Sequence, residues 1–172
     1  LLLLVAYRLL APGSEWQLHR EWLQRSAMGD LLGSDSKGVA KDPLYRCLDK
    51  LLPHKADLCT FLTPRWQDLF GATYDLLLYD LTSTYFEGAG PPKKGAFGHS
   101  RDGKPRNRQV LVGLVMVDGW PIAHHVFQGN RRDSKTVPEV LADLEKRFGL
   151  KRVVFVGDRG MVTADNLALL RK

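Results

Sequence analysis

Through the first seventy positions apolar residues recur at helical spacing; beyond them the pattern changes to short apolar and β-branched runs. The opening run LLLLVAYRLL reads as a buried helix. Ser14 followed by Gln17 fits a capping box, and Trp16, His19, Trp22 and Leu23 then recur on one helical face. The Trp residues read as core. Asp42-Pro43 is a second start, Asp as cap and Pro at the first helical position. Leu44, Leu48, Leu51 and Leu52 mark its apolar face. Thr63-Pro64 is a third start, running to a stop at Gly71.

From about Tyr74 to Leu81 the chain reads as a buried strand, with Asp80 near its end and turn-like Thr82, Ser83 and Thr84 after it. VLVGLVMVD and PIAHHVFQG follow, joined at Asp118-Gly119-Trp120, and an Asp-Gly pair between two such runs predicts a hairpin. Ser134 is positioned to cap a helix carrying Val137, Val140, Leu141, Leu144 and Phe148, with Gly149 as its stop. KRVVFVGD is nearly all apolar, as in a strand covered on both faces, and Thr163 caps a final helix.

The order strand, strand, strand, helix, strand, helix predicts an α/β domain. A three-strand meander followed by a helix-linked parallel strand is the order of a ribonuclease H-like core, although other α/β folds share it. The expected division is a helical N-terminal region, 1–73, and a first, incomplete part of such a core, 74–172. A length of 172 residues with 44% hydrophobic and 26% charged positions is ordinary for a globular protein. The start at Leu1 without Met and the end at Lys172 within a helical pattern suggest a fragment.

The net charge is +6, and its distribution sharpens the picture. Residues 1–73 carry nine Lys/Arg against eight Asp/Glu, whereas 90–110 carry six against one. Lys93, Lys94, Arg101, Lys104, Arg106 and Arg108 therefore make one Gly/Pro-rich loop strongly basic. A solvated turn accounts for scattered cations; this concentration points to a polyanion such as a DNA backbone. Arg131 and Arg132 extend the basic character past the third strand. Cys47 and Cys59 have no metal or redox spacing and read as free core thiols in a reducing cytoplasm. The leucine-rich start is too short to span a bilayer and includes Arg8, and it lacks the plan of a signal peptide.

Two carboxylates stand out by position. Asp80 lies near the end of the first strand and Asp158 ends the fourth, before Arg159-Gly160. If those strands are neighbours the two converge, and a divalent cation relieves their repulsion. Mg²⁺ (or Mn²⁺) suits such a pair, because it binds through one or two carboxylates, waters and substrate phosphate oxygens. Two such ions can activate an attacking oxygen and stabilise a leaving one in phosphoryl transfer. Each Asp taken alone reads better as the cap of a turn after its strand; it is the two together, in this element order and beside a basic loop, that favour a site. Glu87 and Asp75 read as solvated or edge residues. His124 and His125 point to opposite faces of one strand and cannot share a metal, so one is packed and one exposed. No Walker or dinucleotide loop is present, and no Ser-His-Asp arrangement.

YDLTSTYFEG, GHSRDGKPRNRQVLVGLVMVDGWPIAHHVFQGNRRDSKT and VVFVGDRGM, in that order, resemble the bacterial DDE transposases of the insertion-sequence-four superfamily, in particular its insertion-sequence-sixteen-thirty-four branch. AYRLLAPGSEWQLHREWLQRSAMGDLLG and LYRCLDKLLPHK extend the resemblance over essentially the whole chain. It implies a ribonuclease H-like core that uses Mg²⁺ to cut and join double-stranded DNA at transposon ends and target, in a bacterial, nucleoid-associated setting. It also implies action as a homodimer. Asp80-Leu81-Thr82 matches the family's first carboxylate motif and Asp158-Arg159-Gly160 its second. The third, a Glu in a Tyr-Arg-Glu-Lys signature, is absent from these residues, so the expectation is a truncated transposase without its closing ligand. Two alternatives stay open: another ribonuclease H-like nuclease, or a catalytically dead DNA-binding remnant.

Overall fold

The computed structural model describes residues 1–33, 39–71, 76–148 and 154–171. The chain divides into two compact units, Leu1–Leu58 and Cys59–Lys172, a division that falls before the 73/74 boundary expected from sequence.

The first unit is helical. It contains α1 (Leu2–Leu10), α2 (Glu15–Gln17), a π-helical stretch Leu18–Trp22, α3 (Leu23–Arg25), α4 (Met28–Leu31) and α5 (Lys41–Leu51). The capping box forms as expected: Ser14 Oγ accepts from Gln17 N and Gln17 Oε1 accepts from Ser14 N. Leu4, Tyr7, Leu18, Leu23 and Leu44 make the core, with Trp22 tilted against Tyr7 at 5.2 Å between ring centres. Three expectations change. The leucine-rich start is amphipathic rather than buried, since Leu1, Leu2, Leu9 and Leu10 face solvent. Trp16 is exposed, while Leu18, which opens the π-helical stretch, is fully buried. Leu48 and Leu52 are exposed as well, leaving Leu44 as the buried residue of α5.

Helix boundaries also differ from the sequence signals. α5 begins at Lys41 with Ala40 before it, so Asp42 and Pro43 occupy the first turn, where a missing N–H costs nothing. α6 (Lys55–Phe70) runs straight through Thr63-Pro64 instead of starting there. Pro64 brings no amide to the helix, and the preceding Thr63 Oγ1 donates back to the Cys59 carbonyl at 2.8 Å, one turn earlier. The helix stops as predicted at Gly71, in the left-handed region with φ 62°.

The second unit is a mixed α/β domain. Its four-stranded sheet, ordered β3-β2-β1-β4, contains β1 (Leu76–Tyr85), β2 (Gln109–Val117), β3 (Trp120–Gln128) and β4 (Val154–Val156). The first three form an antiparallel meander, and β4 lies parallel to β1. The Asp-Gly hairpin is present: Asp118 (φ 48°) and Gly119 (φ 83°) turn β2 directly into β3, so Trp120 begins the strand. α7 (Val137–Phe148) and α8 (Ala164–Leu170) complete the unit.

β1 alternates cleanly. Leu77, Tyr79, Leu81 and Ser83 are buried, while Leu76, Leu78, Asp80, Thr82 and Thr84 face the other way. The buried side joins Leu111, Val115, Val117, Ile122, Phe127 and, from α7, Val137, Val140 and Leu144 in one core. Thr82 to Tyr85 therefore continue the strand rather than turning, and Asp80 sits in its middle rather than near its end. The expected strand start at Tyr74 and Asp75, and the helix stop at Gly149, lie outside the described residues. β4 is an edge strand with Val154 and Val156 exposed, not one covered on both faces. Ser134 does not cap α7, because Asp133–Lys135 form a 3-10 turn of their own before it.

Candidate metal centre and nucleic-acid interface

The parallel pairing of β1 with β4 sets the relation between the two carboxylates. Leu76 pairs with Val154, Leu77 with Phe155 and Leu78 with Val156. Continued for two residues past the last pair, that register would set Asp80 opposite Asp158. The chain keeps to that course past the last pair. Asp158 itself is extended (φ −66°, ψ 154°), and a Cβ on Gly157 would come within 3.7 Å of the Tyr79 carbonyl. Neighbouring strands lie about 4.8 Å apart, and register partners in a parallel pair point to the same face. Asp80 and Asp158 are both exposed, Asp80 on the face of β1 away from the α7 core.

Each carboxylate is held by the amide that follows it. Asp80 Oδ1 accepts from Leu81 N at 2.9 Å, and Asp158 Oδ1 accepts from Arg159 N at 2.6 Å. In each case Oδ2 is left for another ligand. Among the described residues no group of three or more His, Cys, Asp or Glu side chains is arranged to hold a metal ion. Two carboxylates with free outer oxygens fit a hard cation that keeps several waters and takes phosphate oxygens, as Mg²⁺ does.

A buried polar network ties together the backbone next to both residues. The Tyr79 hydroxyl donates to Thr136 Oγ1 at 3.0 Å, and Thr136 Oγ1 donates to the Asp133 carbonyl at 2.7 Å. Burial raises the Tyr79 phenol above its ordinary value of 10.0; the nearby Asp133 adds to the rise and the Thr136 hydrogen bond opposes it. Asn166, the buried residue of α8, donates through Nδ2 to the Ser134 carbonyl at 2.9 Å and to the Met161 carbonyl at 2.8 Å. The turn Arg159–Met161 that follows Asp158 is thereby bound to the turn Asp133–Lys135. Thr163 caps α8 as predicted, accepting from Asn166 N. No periodicity marks Tyr79, Thr136 or Asn166 in the sequence. A buried polar residue has no pattern of its own.

The basic loop is ordered. Ala96 and Gln109 exchange both backbone hydrogen bonds, at 3.0 and 2.8 Å, and Gly129 N donates to the Lys94 carbonyl at 3.2 Å. The loop therefore sits at the end of the sheet where β1 finishes and β2 begins, the end toward which β4 also runs. The eight predicted cations meet there in different states. Lys93, Arg106 and Arg132 are exposed. Lys94 Nζ donates to the Val126 carbonyl at 2.7 Å; Lys104 lies over the Tyr85 ring and Arg108 over the Phe97 ring. Arg101 pairs with Asp133 at 3.2 Å, and Arg131 with Glu139 at 2.7 Å, so these two already face carboxylates. Arg101 N also donates to Ser83 Oγ, fastening the loop to β1.

The histidines divide as expected. His124 is exposed, and His125 Nε2 lies 3.0 Å from Asp143 Oδ2 on the α7 side, where Arg147 Nε also donates to Asp143. Cys47 and Cys59 are free, half-buried thiols. Among the described residues no helix is long and apolar enough to cross a membrane.

No protein-family model matches the chain, and no curated protein matches it in sequence. Among solved structures it is similar to the Mos1 strand transfer complex, with a TM-score of 0.38 and 11% identity over 98% of this chain and 54% of the other. It is similar to the Mos1 transposase paired-end complex with left transposon end at the same score and identity, over 98% and 55%. The chain thus spans about half the length of these structures. At such scores the chemistry rests on this chain's own residues alone.

Proposed function

We propose that this chain is part of a DDE-type transposase, in which a ribonuclease H-like core cuts and joins DNA. In this reading Asp80 and Asp158 are two of the metal-binding carboxylates, and Mg²⁺ (or Mn²⁺) is the cofactor. The observation that supports it is the parallel pairing of β1 with β4 as far as Leu78 and Val156, a register that would bring Asp80 alongside Asp158 if continued for two residues. The resemblance in sequence motifs supports the same reading; the finer family placement, the ribonuclease H-like core, a homodimeric working form and the bacterial nucleoid setting belong to this proposal.

When bound, a divalent ion would supply charge neutralisation and activation for phosphodiester attack. The chain's own contribution is position. The carboxylates hang on one rigid sheet, each with one oxygen fixed by the next amide. Lys93, Lys94, Lys104, Arg106, Arg108 and Arg132 offer charge to the phosphates of double-stranded DNA, while Arg101 and Arg131 divide theirs between DNA and their carboxylate partners. Such contacts position a duplex without reading its sequence. The overall reaction breaks a P–O3′ bond as water forms a new P–O bond; the freed 3′ hydroxyl then displaces a 3′ oxygen in the target.

Mn²⁺ titration followed by electron paramagnetic resonance tests the site. The expected result is weak binding by the 172-residue chain that falls at least tenfold in Asp80→Asn and in Asp158→Asn. Unchanged binding in both variants would overturn the assignment. The DNA interface is read separately, from the salt dependence of duplex affinity. Replacing Lys93, Lys94 and Arg106 with Gln should lower the slope of log affinity against log salt by about one for each phosphate left without its cation.

A further inference from the structure

We propose that Phe97 is a stacking platform for an unpaired DNA base, an inference that rests on the DNA-binding reading above and names a feature of the strand it takes. Phe97 is 60% exposed, in the middle of the most basic segment of the chain. An isolated exposed apolar side chain is ordinary on a protein surface. What sets Phe97 apart is that its backbone is clamped on both sides while its ring is left in water.

On one side Ala96 makes the two-bond bridge to Gln109. On the other, the Gly98 carbonyl accepts from Nε2 of the fully buried Gln109 at 3.2 Å. Gly98 also lies so close to the start of the next loop that a Cβ there would fall 2.1 Å from the Gly129 carbonyl oxygen. Gly129 is confined in turn, since its own Cβ would meet the Gln109 carbonyl at 2.1 Å. Two glycines thus allow three backbone segments to close on one another, and Phe97 is carried outward on the result. With the backbone pinned, only the ring's own two side-chain torsions remain to be fixed when a planar group stacks on it.

Its surroundings select the planar group. The Arg108 guanidinium lies 5.7 Å from the ring centre, Lys104 covers Tyr85 nearby in the loop, and Lys93 and Lys94 precede Phe97 by four and three residues. An aromatic face among cations that can neutralise phosphates is the combination that holds single-stranded nucleic acid: bases stack and the backbone is drawn by charge. In a paired duplex the base faces are covered, so the ring has nothing to receive there. The ligand is therefore a base freed from pairing, at a frayed end or an opened step.

The test compares oligonucleotides of one sequence, as intact duplex and as single strand carrying 2-aminopurine, bound to the full chain. Stacking on Phe97 should quench the 2-aminopurine fluorescence. Phe97→Ala should abolish the quench and weaken single-strand binding about tenfold, within the range measured for removing one base–aromatic stack, with duplex affinity unchanged within twofold. Phe97→Trp should restore both. If Phe97→Ala leaves single-strand affinity and quench as they were, the platform is refuted. An equal loss on duplex and single strand, or an RNA strand bound tenfold more tightly than the DNA strand, also overturns it. Failure of the wild-type chain to bind any DNA instead refutes the broader DNA-binding reading. Because the ring is solvent-exposed, unchanged thermal unfolding is expected for both variants and separates recognition from folding.

Discussion

Asn166→Ala is a sharp test of how the turn after Asp158 is held. Asn166 is 4% exposed and uses both amide hydrogens, on the Ser134 and Met161 carbonyls. Truncation removes two hydrogen bonds, each worth about 1 kcal/mol net. It also leaves two carbonyls without that donor, and a buried unsatisfied group costs about 1–3 kcal/mol. Ser134 is half-buried, so water reaches its carbonyl more readily than a core one, and the lower part of that range applies. The unsatisfied-group costs already contain the lost bonds, so the expected loss is about 1 kcal/mol at Ser134 plus about 1–3 at Met161, together about 2–4 kcal/mol. For a chain of this size that corresponds to roughly 5–15 °C in melting temperature. Urea unfolding followed by circular dichroism measures it, with an unchanged m-value required for the comparison. Asn166→Asp sharpens the result: a carboxylate keeps the shape but has no donor at neutral pH, so it should cost at least as much as Ala. Part of that loss should return on acidification, when the protonated acid regains one O–H. A cost below about 0.5 kcal/mol for Ala, the size of an ordinary surface change, would refute the network as a structural tie.

Three further outcomes follow from the same geometry. Tyr79→Phe should cost about 1 kcal/mol near neutral pH, the net worth of its bond to Thr136, by denaturant titration. The folded phenol is raised above its ordinary value, so stability is full below about pH 10 and falls as pH rises through the folded value; Tyr79→Phe should lack this alkaline loss, and an identical alkaline limb would contradict the burial argument. Gly98→Ala must move either its own backbone or that of Gly129, and should destabilise by about 1–3 kcal/mol as overpacking does; no change in chemical denaturation would show that the loop is looser than described. Asp133→Asn removes the carboxylate facing Arg101 and should raise the salt slope of duplex binding by about one, whereas an unchanged slope would place Arg101 outside the DNA contact.

What the sequence disclosed follows from what has a period or a local cause. The existence of β1, the Asp-Gly turn, the Ser14 and Thr163 caps and the amphipathic face of α7 were all legible, because each depends on residues within a few positions of one another. Boundaries set by competition were not. Thr63-Pro64 carries a start signal, yet α6 runs through it. Asp42-Pro43 carries another, yet the helix begins two residues sooner. Asp80 shows the difference best. Its place on the first strand was readable, but the strand runs on to Tyr85 through Thr82, Ser83 and Thr84, which taken alone read as turn residues. Pairing with β2 overrides that local preference, with Thr84 opposite Val110 and Tyr85 opposite Gln109.

The same reasoning explains why the candidate carboxylates were visible from sequence and the elements around them were not. Asp80 and Asp158 each sit against an apolar run, and a charge in that place is conspicuous. Their neighbourhood depends on β4 choosing the free edge of β1 in parallel register, a non-local event. Tyr79, Thr136 and Asn166, which brace that region, are separated by 57 and 30 positions along the chain, yet Tyr79 bonds Thr136 and Asn166 bonds the adjacent Ser134 carbonyl. Phe97 was hidden for a related reason. Its exposure follows from the closure of Gly98 on Gly129, thirty-one residues away, and glycine pairs that permit close approach leave no hydrophobic pattern to read. The charge of the loop announces a polyanion, but only the packing beneath it leaves an aromatic face standing among those charges. If that face takes a base, the loop distinguishes paired from unpaired DNA as well as attracting it.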